Sequence, residues 1–240
     1  MNETRISLAS TDNEWLCELL RKHPRVDRVV RGSEGGVKFR QDAWEREVLD
    51  GVPSEELYGL VEIMDNNPMV CADRVSTPGP AATLALIALA PLAKAGLIVE
   101  SPVLVINFVA DESEPAAALT RVGWTDGLAL HTEVVDLDGV LAATAMVSIP
   151  TPEDPGDVSA LYDEHFGRSF YVQRDETSEW TPGLVAGQPF AVYRLTVAMD
   201  HPRCLVTIRL LADSHGKCGE SQIVHAMNVM CGFEESLGVS

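Results

Sequence analysis

Residues 81–99 form the one long apolar run in the chain, and they constrain the fold more than any other segment. The run carries Pro91 and Lys94 and is broken by Gly96. It therefore predicts a buried helix rather than a membrane span. A buried helix needs a full core around it, which 240 residues at 46% hydrophobic can supply. The length allows one large domain, or one domain with an appendage.

Eighteen basic against 36 acidic residues give a formal charge of −18. Such a charge repels phosphate backbones and anionic lipid, so neither nucleic acid nor a membrane is an expected partner. The composition predicts a soluble globular protein with a solvated acidic coat. The five cysteines, Cys17, Cys71, Cys204, Cys218 and Cys231, are scattered without the short paired spacing of a zinc site or disulfide framework. That pattern fits a reducing cytoplasm. Glu3 and the lack of an apolar stretch near it give no signal-peptide pattern.

Residues 5–9 predict a strand, and Thr11 with Glu14 three residues on has the capping-box pattern that opens a helix. Trp15, Leu16, Leu19 and Leu20 give that helix an apolar stripe, and His23-Pro24 should end it. Val26, Val29 and Val30 then read as a second strand, completing the start of a βαβ unit. A dinucleotide-binding unit needs glycines in its first turn so that the backbone can approach a pyrophosphate. Here the turn is Ser10-Thr11-Asp12-Asn13, and Asp12 and Glu14 place negative charge where the pyrophosphate would sit. Residues 32–51 read as a glycine-rich turn and a charged segment, too short for further βα units.

Strands are predicted over residues 103–110, 128–135 and 140–149, and a helix over 155–166. Residues 190–199 and 204–212 alternate apolar and polar around Asp200-His201-Pro202-Arg203, a hairpin pattern. His165, near a helix end, stands where a protonated imidazole would meet the helix dipole favourably. The last helix is expected over residues 219–230, with Ile223, Met227 and Met230 on one face. This order predicts an α+β fold, a mixed or antiparallel sheet covered by helices.

Asp213, Lys217, Gln222, Met227, Asn228, Met230, Gly232, Glu235 and Gly238 fall, without a gap, in register with a known pattern. The stretch resembles the C-terminal signature of N-acetyl-γ-glutamyl-phosphate reductases, and residues 5–24 and 57–62 resemble other parts of that family. The resemblance implies a fold like the C-terminal domain of glyceraldehyde-3-phosphate and semialdehyde dehydrogenase-like reductases, with a vestigial N-terminal βαβ fragment. Residues 1–50 would be a truncated remnant of a Rossmann-type domain, and residues 51–240 the catalytic and dimerisation domain.

The family's nucleophilic cysteine opens a helix in an Asn-Pro-Gly-Cys-Tyr motif. The matching stretch here is Thr77-Pro78-Gly79-Pro80, so a proline, itself a good first helical residue, stands in the cysteine's place. The family's histidine motif is not recognisable, since residues 111–139 hold His131 alone. Asp138 stands where the family has arginine, which inverts the charge offered to an anion. With the glycine fingerprint, cysteine and histidine motif all missing, NADPH-dependent reduction is not expected and no cofactor is implied.

The resemblance places the loop at Lys217 beside the active site. His215, Lys217 and Cys218 are the candidate catalytic residues, and Ser214, Thr77, Gly79 and His131 the candidate substrate-binding ones. A repurposed site and a relic loop whose lysine pairs with a surface carboxylate both stay open. The expected protein is a non-reductase descendant, a pseudoenzyme binding an amino-acid-derived acyl compound or a partner enzyme. The alternative is a cofactor-independent cyclase, lyase or hydrolase. A homo-oligomer, dimer or tetramer, is implied by the way the family assembles.

Overall fold

The computed structural model describes residues 4–32, 35–64 and 66–239. Glu3 and part of the glycine-rich turn read after Gly32 lie outside the described residues. The chain forms two compact units, one from residues 1–79 and 219–240, the other from residues 80–218.

In the first unit, β1 (Ile6–Ser10), α1 (Glu14–Lys22) and β2 (Val29–Val30) make the predicted βαβ start, with β2 parallel to β1. The helix begins later than the capping-box reading had it. Asn13 is the N-cap, and its Oδ1 accepts the Leu16 N–H at 3.0 Å. His23 ends the helix, as expected.

The segment expected to be only a turn and charges is instead a hairpin, β3 (Gly36–Gln41) with β4 (Trp44–Asp50). With β5 (Arg74–Thr77) these strands form a five-stranded mixed sheet in the order β2-β1-β3-β4-β5. A short helix, α2 (Asn66–Cys71), and the last helix, α6 (Glu220–Cys231), pack in this unit. Leu16, Leu20, Val37, Phe39, Val48, Val75, Ile223 and Met227 share its core.

Arg46 faces that core and is 3% exposed. Its guanidinium donates to the carbonyls of Met69 at 3.1 Å, Val70 at 2.9 Å and Ala72 at 3.0 Å, and to that of Met230. They lie at or just past the C-terminal ends of α2 and α6, where carbonyls run short of intrahelical donors. A cation is well placed there, and the Trp44 ring lies 4.0 Å beneath it.

The second unit opens with α3 (Pro80–Lys94), in which every residue from Ala81 to Ala93 is buried, as the apolar run predicted. Strands β6 (Val103–Ile106), β7 (Ala129–Thr132), β8 (Val140–Pro150), β9 (Val172–Arg174), β10 (Ala191–Ala198) and β11 (Arg203–Asp213) form one mixed sheet, ordered β7-β6-β8-β11-β10-β9. The β10–β11 hairpin is in the predicted place. Helix α3 packs on β8 and β11 and against α4 (Ser113–Arg121) and α5 (Pro155–Phe166). Ala143, Ala145, Val147, Val206 and Ile208 are buried on one face of this sheet.

At the end of α5, burial and the nearby Lys94 hold His165 below its ordinary value. That corrects the expectation of a protonated imidazole meeting the dipole. The fold class is α+β, as read from the sequence.

Candidate functional site

The Lys217 turn grows out of the end of β11. Asp213 pairs with Val140, and the next N–H, that of Ser214, donates to Gly139 O at 3.0 Å. The Asp213 carboxylate then ties two loops together. Its Oδ1 accepts the His215 N–H at 2.8 Å and its Oδ2 the Gly187 N–H at 2.7 Å. Gly216 is required here, because a Cβ would lie 2.2 Å from Gln188 O. The aspartate of the motif is thus engaged in building the turn.

The turn sends its candidate residues to different environments. His215 is exposed and Ser214 half-buried. Lys217 is 0% exposed, with Nζ 5.3 Å from the centre of the buried Tyr171 ring. This lysine is therefore a buried side chain over an aromatic face rather than a residue at the surface. Cys218 is 3% exposed, and burial pushes its thiol up to about 12. A thiol held there is protonated at neutral pH and is a poor nucleophile.

The remaining candidates belong to other elements. His131 is exposed on β7, three strand spacings from β11, about 14 Å. Thr77 and Gly79 belong to the first unit. The Thr77 hydroxyl is buried and donates to Leu49 O at 3.2 Å, which makes it a brace between β5 and β4. Pro80 is the first residue of α3.

The sequence reading overlooked a buried polar network in the first unit. His225 is 0% exposed, with Nε2 3.0 Å from a Glu235 oxygen and Nδ1 4.0 Å from Glu62. Glu62 in turn borders a recess of about 640 Å³ with Met64, Asn66 and Asn67. One turn of α6 further on, Asn228 Nδ2 donates to the carbonyls of Glu235 at 3.0 Å and Leu237 at 2.9 Å. Its Oδ1 faces His23 Nε2 at 3.0 Å. Two histidines and one asparagine thus hold residues 232–239 to α6. The local sign was two polar residues, His225 and Asn228, three apart within the apolar stretch that follows Gln222 on α6.

His23 fixes the tautomer of this network, since its Nδ1 accepts the Arg25 N–H at 3.2 Å and Nε2 is left to donate. Burial lowers its pKa from 6.5 despite the raising effect of Asn228. A base whose folded pKa lies below its unfolded one stabilises the fold fully above the unfolded value, and loses that contribution as pH falls through the interval between the two. Thermal melts should show the stability gap between wild type and His23→Gln narrowing once the pH drops below about 6.5. A constant gap down to acid would contradict this assignment.

Nicotinamide dinucleotide does not fit the first turn of α1. Asn13 Oδ1 already caps the Leu16 N–H, Glu14 adds negative charge, and Asn13 Nδ2 donates to Glu220 at 2.7 Å. A pyrophosphate there would displace a good cap and meet two carboxylates. A second recess, of about 490 Å³, lies over β3 and β4, but its cations are matched. Lys38 and Arg74 pair with Glu47 at 3.5 and 3.2 Å, and Arg40 pairs with Glu45. Among the described residues no cluster of histidine, cysteine and carboxylates could hold a metal ion, and no helix is long and apolar enough to cross a membrane.

No family model matches the chain. Sequence comparison finds similarity to the N-acetyl-γ-glutamyl-phosphate reductases of Bacillus cereus (strain 03BB102) and Bacillus anthracis (strain CDC 684 / NRRL 3495), each 21% identical over 222 residues and 79% of this chain. The chain spans 64% of the length of these relatives. Among solved structures, aspartate semialdehyde dehydrogenase II of Vibrio cholerae complexed with ASA superposes with a TM-score of 0.64 at 10% identity, over 95% of this chain and 98% of that one. A second structure of aspartate semialdehyde dehydrogenase II from Vibrio cholerae gives 0.62 at 11%, over 94% and 98%. The chain therefore has the fold of the semialdehyde dehydrogenases, and in sequence it is similar to the N-acetyl-γ-glutamyl-phosphate reductases.

Proposed function

We propose that this chain is a non-reductase protein on a semialdehyde-dehydrogenase-like scaffold, which binds an amino-acid-derived acyl compound or a partner enzyme in amino-acid or specialised metabolism. The observation that carries the reading is Pro80 as the first residue of α3, where the related enzymes place a nucleophilic cysteine. The occupied first turn of α1 and the buried, protonated Cys218 support it. Burial of Lys217 and Cys218 also leaves a cofactor-independent enzyme at this turn with His215 alone in solvent, so binding is the better-supported activity. In this reading residues 1–50 are the remnant of a larger cofactor domain, and residues 51–240 descend from the catalytic and dimerisation domain.

A homo-oligomer is part of the proposal. The sheet face of the second unit that carries Val105, Thr144, Met146, Leu205 and Thr207 is partly exposed, and its middle rows hold no carboxylate. On a chain of charge −18, such a face is where a second copy meets least repulsion.

N-acetylglutamate serves as the probe for binding, and N-acetyl-γ-glutamyl phosphate with NADPH as the probe for reduction. The expected result is a rise in melting temperature with the first and no protein-dependent NADPH consumption with the second. Consumption of NADPH would sink the non-reductase reading, whereas absence of any shift with N-acylated amino acids would remove the ligand and leave the partner enzyme.

A further inference from the structure

The open face of the second unit's sheet carries a pair of residues that folding alone does not call for. Arg194 on β10 and Arg209 on β11 stand directly opposite each other in the antiparallel register. Like charges in that position repel. From Arg209 the same row continues through Thr144 on β8 to Val105 on β6, and the next row is Thr196, Thr207, Met146 and Val103. Neither row contains a carboxylate, on a chain with 36 acidic residues.

The two arginines are held differently. Arg194 is matched, because its Nε donates to Asp175 O at 2.9 Å, its Nη2 donates to Ser178 O at 2.9 Å, and the Asp175 carboxylate lies 3.5 Å away. It anchors the loop that follows β9. Arg209 is exposed, and no carboxylate among the described residues pairs with it. Its guanidinium carbon lies over the Trp180 ring, 5.0 Å from the ring centre, and that of Arg194 lies 4.8 Å from the same centre. One indole thus offsets the repulsion of two guanidiniums. Trp180 is itself fixed, packed on Val140, Val185, Val192 and Leu211.

A guanidinium presents a planar fork of N–H donors that meets a carboxylate or phosphate through two parallel bonds. Thr144 is opposite Arg209 across the β8–β11 pair, at about 5 Å between Cβ atoms. Thr207 lies two residues along on the same strand and face, at about 7 Å. Both threonines carry hydroxyls that can donate to the remaining oxygens of an anion held by the fork.

We infer that Arg209, Thr144 and Thr207, beside Trp180, form a binding site for a small oxyanion, a carboxylate or a phosphate group, on the open face of the second unit's sheet. The site stands where the Trp180 loop meets the face proposed above for a second copy. It rests neither on that copy nor on the acyl-compound reading, since the fork recognises the oxyanion alone. Arg209 opposes Arg194 and pairs with no carboxylate, so the fold does not need it, whereas the anion does.

Nitrogen-proton correlation spectra of the whole chain test the site at Trp180. The chain has four tryptophans, and the indole N–H signal missing from Trp180→Phe identifies the one concerned. N-acetylglutamate and inorganic phosphate are titrated separately, with ionic strength held constant by chloride. At least one of them should move the Trp180 signal to saturation, and which one does so tells a carboxylate from a phosphate. Arg209→Gln should weaken that binding about tenfold or more. Arg209→Lys keeps the charge but not the fork and should weaken it about threefold or more. Neither variant should lower the melting temperature, and circular dichroism verifies the fold of each. A Trp180 signal that saturates with neither anion, that moves equally with chloride alone, or that titrates in Arg209→Gln as in wild type would overturn the inference. A rise in melting temperature with N-acetylglutamate while neither anion moves the Trp180 signal would overturn this site and leave the acyl-compound reading standing.

Discussion

Replacement of Arg46 by methionine is expected to cost about 4 kcal/mol of unfolding free energy, read from urea melts by circular dichroism. The side chain volume is nearly kept, so the loss is not one of packing. It arises because the carbonyls of Val70, Ala72 and Met230 lose a charged donor, and that of Met69 keeps only the Ala72 N–H. Lysine at this position keeps the charge but not the planar fork that reaches two helix ends at once, so Arg46→Lys should recover less than half of the loss. A methionine variant within about 1 kcal/mol of wild type would show that the two helix ends find other partners.

The second large effect is expected at Asn228. Its amide serves three partners, His23 and the carbonyls of Glu235 and Leu237. Asn228→Ala leaves two acceptors and one imidazole N–H unpaired and should cost about 3 kcal/mol. Gly238→Ala approaches the same clamp from the other side. Gly238 has φ +82°, and an added Cβ would stand 2.2 Å from His23 Cδ2. Either change should release residues 232–239, visible as fast amide exchange confined to the tail and the end of α6 before global unfolding. Full protection of the tail in both variants would refute the clamp.

These two sites also mark where the sequence could and could not be read. The buried α3, the βαβ start, the β10–β11 hairpin and α6 were legible because each announces itself by local periodicity or by an unbroken apolar run. The β3–β4 hairpin was not. On β4, Arg46 sits among the core-facing positions and breaks the alternation that would have revealed a strand. Its burial makes sense only once carbonyls 23 to 184 residues away are brought to it, and no local pattern carries that information.

At the candidate site the limit was of the same kind. Lys217 between glycines looks like a surface residue in sequence, whereas the Tyr171 ring that receives it comes from another strand region. The capping signal at Thr11 misled for a smaller reason. Asn13, two residues on, is an equally good cap and has a second partner in Glu220.

The first unit draws its strands from residues 1–79 and its central helix from residues 219–240. On the ribosome those strands emerge long before α6 does, and the whole of the second unit is synthesised in between. Until then Val37, Phe39, Val48 and Val75 lack Ile223, Met227 and the other α6 side chains that complete their core. The nascent chain must therefore carry a half-built, adhesive sheet while a complete domain forms downstream of it. Chaperone demand during synthesis, more than the stability of the finished protein, is the quantity that any shortening of the C-terminal helix would raise first.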